Sequence, residues 1–189
     1  MPPKAKITRE DILQAALTLL REQGEDALNA RSLATALSCS TQPIFSNFAT
    51  MEELQEAARA AAYRLYLSFL QKETENGQYP PYKALGMAYI RFAREEKELF
   101  RLLFMCDRKG QEQTPTPDFE ASVTLIMEGN GVSRETAERM HLEMWACVHG
   151  IAAMLATSFI PLETDLISDM ISDVYFGLRA RHVPKGAPA

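Results

Sequence analysis

Strand-like runs of Val, Ile and Thr are nearly absent from this 189-residue sequence. Helix formers (Ala, Leu, Glu, Met, Arg and Gln) take their place, which argues against a sheet-based fold and predicts an all-α chain. Cysteine is scarce. The three residues, Cys39, Cys106 and Cys147, are odd in number and form no C-x-x-C pair. A disulfide framework is therefore not expected, which suits a reducing, cytoplasmic setting. Long apolar runs are missing too: the longest, residues 145–159, includes His149 and several small residues, and is too short and too polar to span a bilayer. No leader segment is expected, because Met1–Lys6 runs straight into a charged helical pattern. The catalytic patterns H-E-x-x-H, G-x-S-x-G and the glycine-rich phosphate loop are also absent. Finally, there is no excess of positive charge. Lys and Arg number 20 against 25 Asp and Glu, a net charge of −5, so the overall charge does not by itself point to nucleic acid as a basic protein's would.

What is present is a well-mixed chain, 47% hydrophobic and 24% charged, with enough apolar mass for one good core or for a small domain joined to a larger one. The negative charge is unevenly placed. Residues 1–50 balance Lys4, Lys6, Arg9, Arg21 and Arg31 against Glu10, Asp11, Glu22, Glu25 and Asp26, so residues 51–189 hold all of the excess. Between Ala27 and Met51 the one charged residue is Arg31. A surface meant for DNA must be free of carboxylates, and this stretch is.

Local signals predict about nine helices. Thr8 with Asp11 forms a variant capping box for a first helix carrying Ile12, Leu13, Ala16, Leu17 and Leu20, closed by Gly24. Asn29 caps a short second helix, Ser38-Cys39-Ser40 breaks the chain, and Ser40 is expected to cap a third helix over about 41–47, with Pro43 in its first turn. Thr50 and Glu53 begin a long fourth helix reaching about Glu75. After Asn76–Pro81, helical pieces carry Leu85, Tyr89 and Phe92, then Leu99, Phe100, Leu103 and Phe104. A polar loop is expected over 107–118. Helices follow over about 119–128, from the Ser133 cap to about 158, and over about 163–181. The last helix shows Leu166, Ile167, Met170, Ile171, Val174, Tyr175 and Leu178 at the 3.6 period. Residues 183–189 read as a disordered tail.

Two short helices, a tight break and a following long helix make a helix-turn-helix candidate. Gly24, Asn29, Arg31, Leu33-Ala34, Leu37, Cys39-Ser40, Ile44-Phe45, Phe48, Thr50 and Leu54 resemble the TetR family of repressors across positions 8–56. In the second half, residues 89–95 (YIRFARE), residues 99–104 (LFRLLF) and Trp145-x-x-x-His149-Gly150 look like one branch of TetR C-terminal domains. The resemblance implies a DNA-binding domain over 1–54 and an effector-binding and dimerisation domain over 55–182. It also implies a homodimer that reads a near-palindromic operator in double-stranded DNA, releases it when a small molecule binds, and joins its subunits through the last two helices.

On this reading the third helix enters the major groove, and the expected DNA-contacting set is Arg31, Ser32, Ser40, Thr41, Gln42, Pro43, Phe45, Asn47 and Thr50. Gln42 can pair bidentately with adenine, while a Thr methyl can meet a thymine methyl. Arg31, Ser32 and the start of the second helix are expected on phosphate. Ser40 serves more naturally as a cap, and Ile44 and Phe48 as core. The chain departs from the family pattern at Phe45 (commonly Tyr), Asn47 (His), Met51 (Lys), Ala49 (often basic) and Ser38 (Gly). Few charged phosphate contacts are therefore expected. Lys4 and Lys6 either compensate through the minor groove or belong to a free arm.

Soft side chains in the second half (Phe100, Phe104, Met127, Met144, Trp145 and His149) are candidates for an apolar effector pocket or for ordinary core. His149 is open to two roles: bonding a ligand or satisfying a buried carbonyl. Ala146, Gly150, Ala153 and Thr157 form a strip of small residues suited to close helix approach, and Met170, Ile171, Val174 and Leu178 supply an apolar stripe. Together these eight are the expected dimer face, unless both helices pack within one subunit. No cofactor, metal or membrane partner is expected. Two alternatives stand beside the regulator: a protein-binding adaptor on the same fold, motivated by the neutral N-terminal region, and a helical metal enzyme built on His141, Glu143, Cys147 and His149.

Overall fold

A computed structural model of the chain describes residues 7–107 and 116–183. The arm carrying Lys4 and Lys6, most of the 107–118 loop and the tail beyond Val183 lie outside the described residues. Among the described residues there are nine α-helices and no strand: α1 Arg9–Gln23, α2 Ala30–Ala36, α3 Gln42–Asn47, α4 Met51–Asn76, α5 Pro81–Glu95, α6 Lys97–Phe104, α7 Pro117–Asn130, α8 Arg134–Ala156 and α9 Thr164–His182. A 3-10 turn over Glu25–Ala27, not anticipated from the sequence, joins α1 to α2.

The helix starts follow local chemistry. The Thr8 hydroxyl accepts from the Asp11 amide while the Asp11 carboxylate accepts from the Thr8 amide, a complete capping box. Asn29 caps α2 and Ser133 caps α8 with their side chains. Gly24 ends α1 at φ 80°, a conformation that disfavours a side chain, and an added Cβ would lie 3.1 Å from the Glu98 carboxylate.

The chain divides into two compact units. One takes residues up to 67 together with 96–106; the other takes 68–95 and the residues from 107 on. The boundary expected at 54/55 falls within α4, which contributes Leu54, Ala58, Ala62 and Tyr66 to the first unit and Phe69 and Leu70 to the second, all buried.

In the first unit α1 packs on α2, α3 and α6. Ile12, Ala16 and Leu20 meet Leu28, Leu33, Ile44, Phe48 and Leu99 in a core where each is at most 5% exposed. Each such large side chain contributes about 1.5–3 kcal/mol by leaving water. Arg21 grips Glu96 with two prongs, Nε at 2.8 Å and Nη2 at 2.5 Å, and Arg59 donates to the Leu102 carbonyl and pairs with Glu25. So α6, although distant in sequence, belongs to the same body as the first helices.

In the second unit α8 is central, with α5, α7 and α9 packed on it. Ala137, Met140, Met144, Val148, Ile151 and Leu155 form its buried stripe. The fully buried Ala84, Ala88 and Phe92 lie on α5. Helices α5 and α8 run in the same direction, as the pairings of Tyr82 with His141 and of Tyr89 with His149 require.

Candidate nucleic-acid interface

The interface is built on α2, a turn and α3. Asn29 Oδ1 accepts from the amides of Arg31 at 3.1 Å and Ser32 at 3.0 Å, so those two N–H groups are already satisfied. What this end of α2 offers a phosphate is the exposed Arg31 guanidinium and the Ser32 hydroxyl.

The turn is a Schellman motif. The Cys39 amide donates to the Ala34 carbonyl at 2.9 Å and the Ser38 amide donates to the Thr35 carbonyl at 3.1 Å. Ser38 takes the left-handed position at φ 51°, a conformation that glycine would adopt without strain. Cys39 is half-buried.

α3 differs from expectation at its start. The N-cap is Thr41 rather than Ser40, it lies in the right-handed helical region, and it makes no side-chain cap bond. Its carbonyl accepts from Ile44 and Phe45 instead. Ile44 and Phe48 are 0% and 1% exposed, as core residues should be. They turn the opposite face outward: Gln42, Phe45, Ser46, Ala49 and Thr50 are exposed, with Thr41 and Pro43 half-buried beside them. Phe45 is 48% exposed, a large cost in water for a helix of six residues unless something covers it.

Two of the expected contacts carry internal duties as well. Asn47 Nδ2 donates back to the Pro43 carbonyl at 2.8 Å, which occupies part of its amide. The Thr50 hydroxyl accepts from the Glu53 amide at 3.2 Å and caps α4. The outward face of α3 carries no charge, and Arg31 is the nearest cation in sequence.

The six residues proposed for an effector pocket are divided between the two units. Phe100 and Phe104 sit together in the first unit, ring centroids 5.3 Å apart, where Tyr66 packs edge-on to Phe104. In the second unit Met144 is buried, Met127 is half-buried and Trp145 is 43% exposed. Trp145 stacks on His149 at 4.8 Å and 21°. His149 Nδ1 faces the Tyr89 hydroxyl rather than a backbone carbonyl.

On α9, Ile171 and Leu178 are 3% and 9% exposed. They pack inside the chain's own core and are not available to a partner, contrary to expectation. Met170 and Val174 are half-buried, and the exposed apolar positions are Leu166 and Phe176. On α8 the small strip stays open: Ala146, Gly150 and Thr157 are exposed and Ala153 half-buried, flanked by Leu142 and Trp145.

Several contacts were invisible in the sequence. Tyr82 OH lies 3.0 Å from His141 Nδ1, Asn130 Nδ2 donates to Tyr175 OH at 3.0 Å, and Lys83 Nζ bridges Ser168 and Ser172. The i, i+4 spacing of the two serines was a signal that could have found that bridge. Among the described residues no three His, Cys, Asp or Glu side chains are grouped to hold a metal ion, and no helix is long and apolar enough to cross a membrane.

Residues 82–173 match the family model described as tetracyclin repressor-like, C-terminal domain. An uncharacterized HTH-type transcriptional regulator of Mycobacterium tuberculosis is 24% identical over 183 residues, spanning 94% of this chain and 84% of that protein.

Proposed function

We propose that the chain, which is similar to tetracyclin repressor-like C-terminal domains over residues 82–173 and to an HTH-type transcriptional regulator over most of its length, is a TetR-family regulator that represses transcription as a homodimer, reading a near-palindromic operator with α3 and letting go when a small apolar or amphipathic molecule binds the second unit. The observation that carries the DNA reading is the outward face of α3. It presents Gln42, Phe45 and Ser46 on a helix whose other side is locked into the core by Ile44, with the buried Phe48 and the exposed Thr50 just beyond its end and no carboxylate between Ala27 and Met51. Such a face suits base edges: a glutamine amide matches adenine, and an exposed ring or methyl group suits the thymine methyl. Arg31 and the Ser32 hydroxyl flank it as phosphate contacts.

The dimer reading rests on the open apolar surface of the second unit. Leu142, Trp145, Ala146 and Gly150 on α8 are exposed, as are Leu166 and Phe176 on α9, a surface that costs free energy in water and fits a two-fold partner. An effector in the second unit is favoured by its soft interior, where Met87, Met140 and Met144 are buried beside Phe92. The likeness to HTH-type regulators supports a regulator role, and we infer that it is exercised on DNA in the cytoplasm without catalysis.

Selection of binding sites from random double-stranded DNA tests the proposal. The expected result is a palindrome with half-sites about one helical turn, roughly 34–36 Å, apart. Folded, dimeric protein that enriches no sequence, with or without candidate effectors, would contradict it and favour the protein-binding adaptor.

A further inference from the structure

We propose that Arg9 is a positioning residue for DNA recognition, holding the end of α3 in place through a three-way clasp rather than touching DNA itself; this rests on the reading of α3 as the DNA-contacting helix. Nη1 of Arg9 donates to the Asn47 carbonyl at 2.6 Å, Nη2 pairs with Glu53 Oε1 at 3.0 Å, and the guanidinium carbon lies 3.8 Å from the centre of the Phe48 ring. Glu53 completes the clasp by accepting the Ala49 amide on Oε2 at 2.7 Å. One side chain at the first residue of α1 therefore ties the last residue of α3, its buried C-cap and the first turn of α4.

The physical need is clear from the length of α3. Six residues cannot hold a helix by propensity, and the last carbonyls of any helix lack intrahelical donors. Arg9 supplies a charged donor to one of those carbonyls, at the helix end where a cation is favourable. The planar guanidinium serves a carbonyl, a carboxylate and a ring face at once, which a lysine ammonium cannot. The backbone from Asn47 to Ala49 is fixed at three points, so the direction of α3, and with it the aim of Gln42 and Phe45, is set from outside the helix.

The test compares full-length wild type, Arg9→Lys and Arg9→Met on a selected operator duplex and on an unrelated duplex, across a series of salt concentrations. Operator affinity is expected to fall about tenfold in both variants, as for loss of one charged hydrogen bond. Affinity for the unrelated duplex and the salt slope should stay as in wild type. An Arg9 that binds phosphate would instead weaken both duplexes alike and reduce the slope by about 2 per dimer, and Arg9→Lys would stay close to wild type; that result overturns the proposal, as does full operator affinity in Arg9→Met. Amide hydrogen exchange provides a readout without DNA, so a wild type that selects no operator sinks the DNA reading while exchange still decides the clasp. Exchange over residues 44–49 is expected to speed up in Arg9→Met, with α8 unchanged, and Glu53→Gln should show a smaller change in the same direction. Unaltered exchange over 44–49 overturns the clasp.

Discussion

Tyr89 on α5 and His149 on α8 share a hydrogen bond, the tyrosine hydroxyl lying 2.8 Å from His149 Nδ1. Seven residues earlier on α5, Tyr82 does the same for His141 at 3.0 Å. Burial holds both imidazoles below the ordinary value of 6.5, slightly opposed at His141 by the charge of Asp118. The neutral ring is thus the form that fits the fold. A group whose folded value is depressed in this way binds protons more readily when unfolded, so stability is lost as pH falls below about 6.5 and levels off below the folded values. Asp11, Glu52, Glu53 and Glu120, held below ordinary values of 3.8 or 4.5, act only in a more acidic window. Urea unfolding at about pH 7.5 and about pH 5.5 should show a loss that shrinks in His141→Phe. An equal loss in the variant would assign the effect elsewhere.

Ser38 and Ser158 both occupy the left-handed position of a Schellman turn, at φ 51° and 54°. Glycine there removes the Cβ strain but frees the unfolded chain, so Ser38→Gly is expected to gain up to about 1 kcal/mol in denaturant unfolding. A loss of stability would mean that the serine side chain contributes something beyond the backbone turn.

Glu73 is 4% exposed and takes a 2.6 Å hydrogen bond from Arg91, whose guanidinium also lies 5.2 Å from the centre of the Phe69 ring. Arg91→Met strands a buried carboxylate. Because Arg91 itself is partly exposed, the expected cost is about 2–3 kcal/mol, below the figure for a fully buried pair. Adding Glu73→Leu should recover most of it. A double variant no better than the single would show that the carboxylate has other partners.

Among the described residues up to position 50, Arg9 and Arg21 are engaged in ion pairs with Glu53 and Glu96, while Arg31 is exposed. Operator affinity should therefore fall with salt less steeply than a slope of about −9, the value for ten neutralised phosphates. A slope that steep, measured by fluorescence anisotropy, would mean that cations outside the described residues, Lys4 and Lys6 among them, carry the binding.

Local chemistry was legible in the sequence because its partners are three or four residues apart. The Thr8–Asp11 box and the Asn29 and Ser133 caps are all of this kind. Long-range chemistry was not. Arg9 sits 38 residues from the carbonyl it holds, and nothing near it in the chain marks that contact. The Glu96 partner of Arg21 is likewise remote, so α6 read as part of the second domain although it packs with α1. On α9 the 3.6 period showed a broad apolar arc, but not which side would face the chain's own core. Ile171 and Leu178 turned inward, and Leu166 and Phe176 stayed out. At α3, Thr41 rather than Ser40 became the cap because the Ile44 and Phe45 amides bond its carbonyl.

The central claim, that α3 reads bases through Gln42, is tested most directly by comparing wild type with Gln42→Ala on a selected operator and on duplexes altered symmetrically at one position at a time. The account predicts that the variant loses about 1–3 kcal/mol of discrimination at one symmetric pair of positions and keeps wild-type preference at the others. Undiminished preference at every position, or an equal loss on all duplexes including unrelated ones, would contradict it.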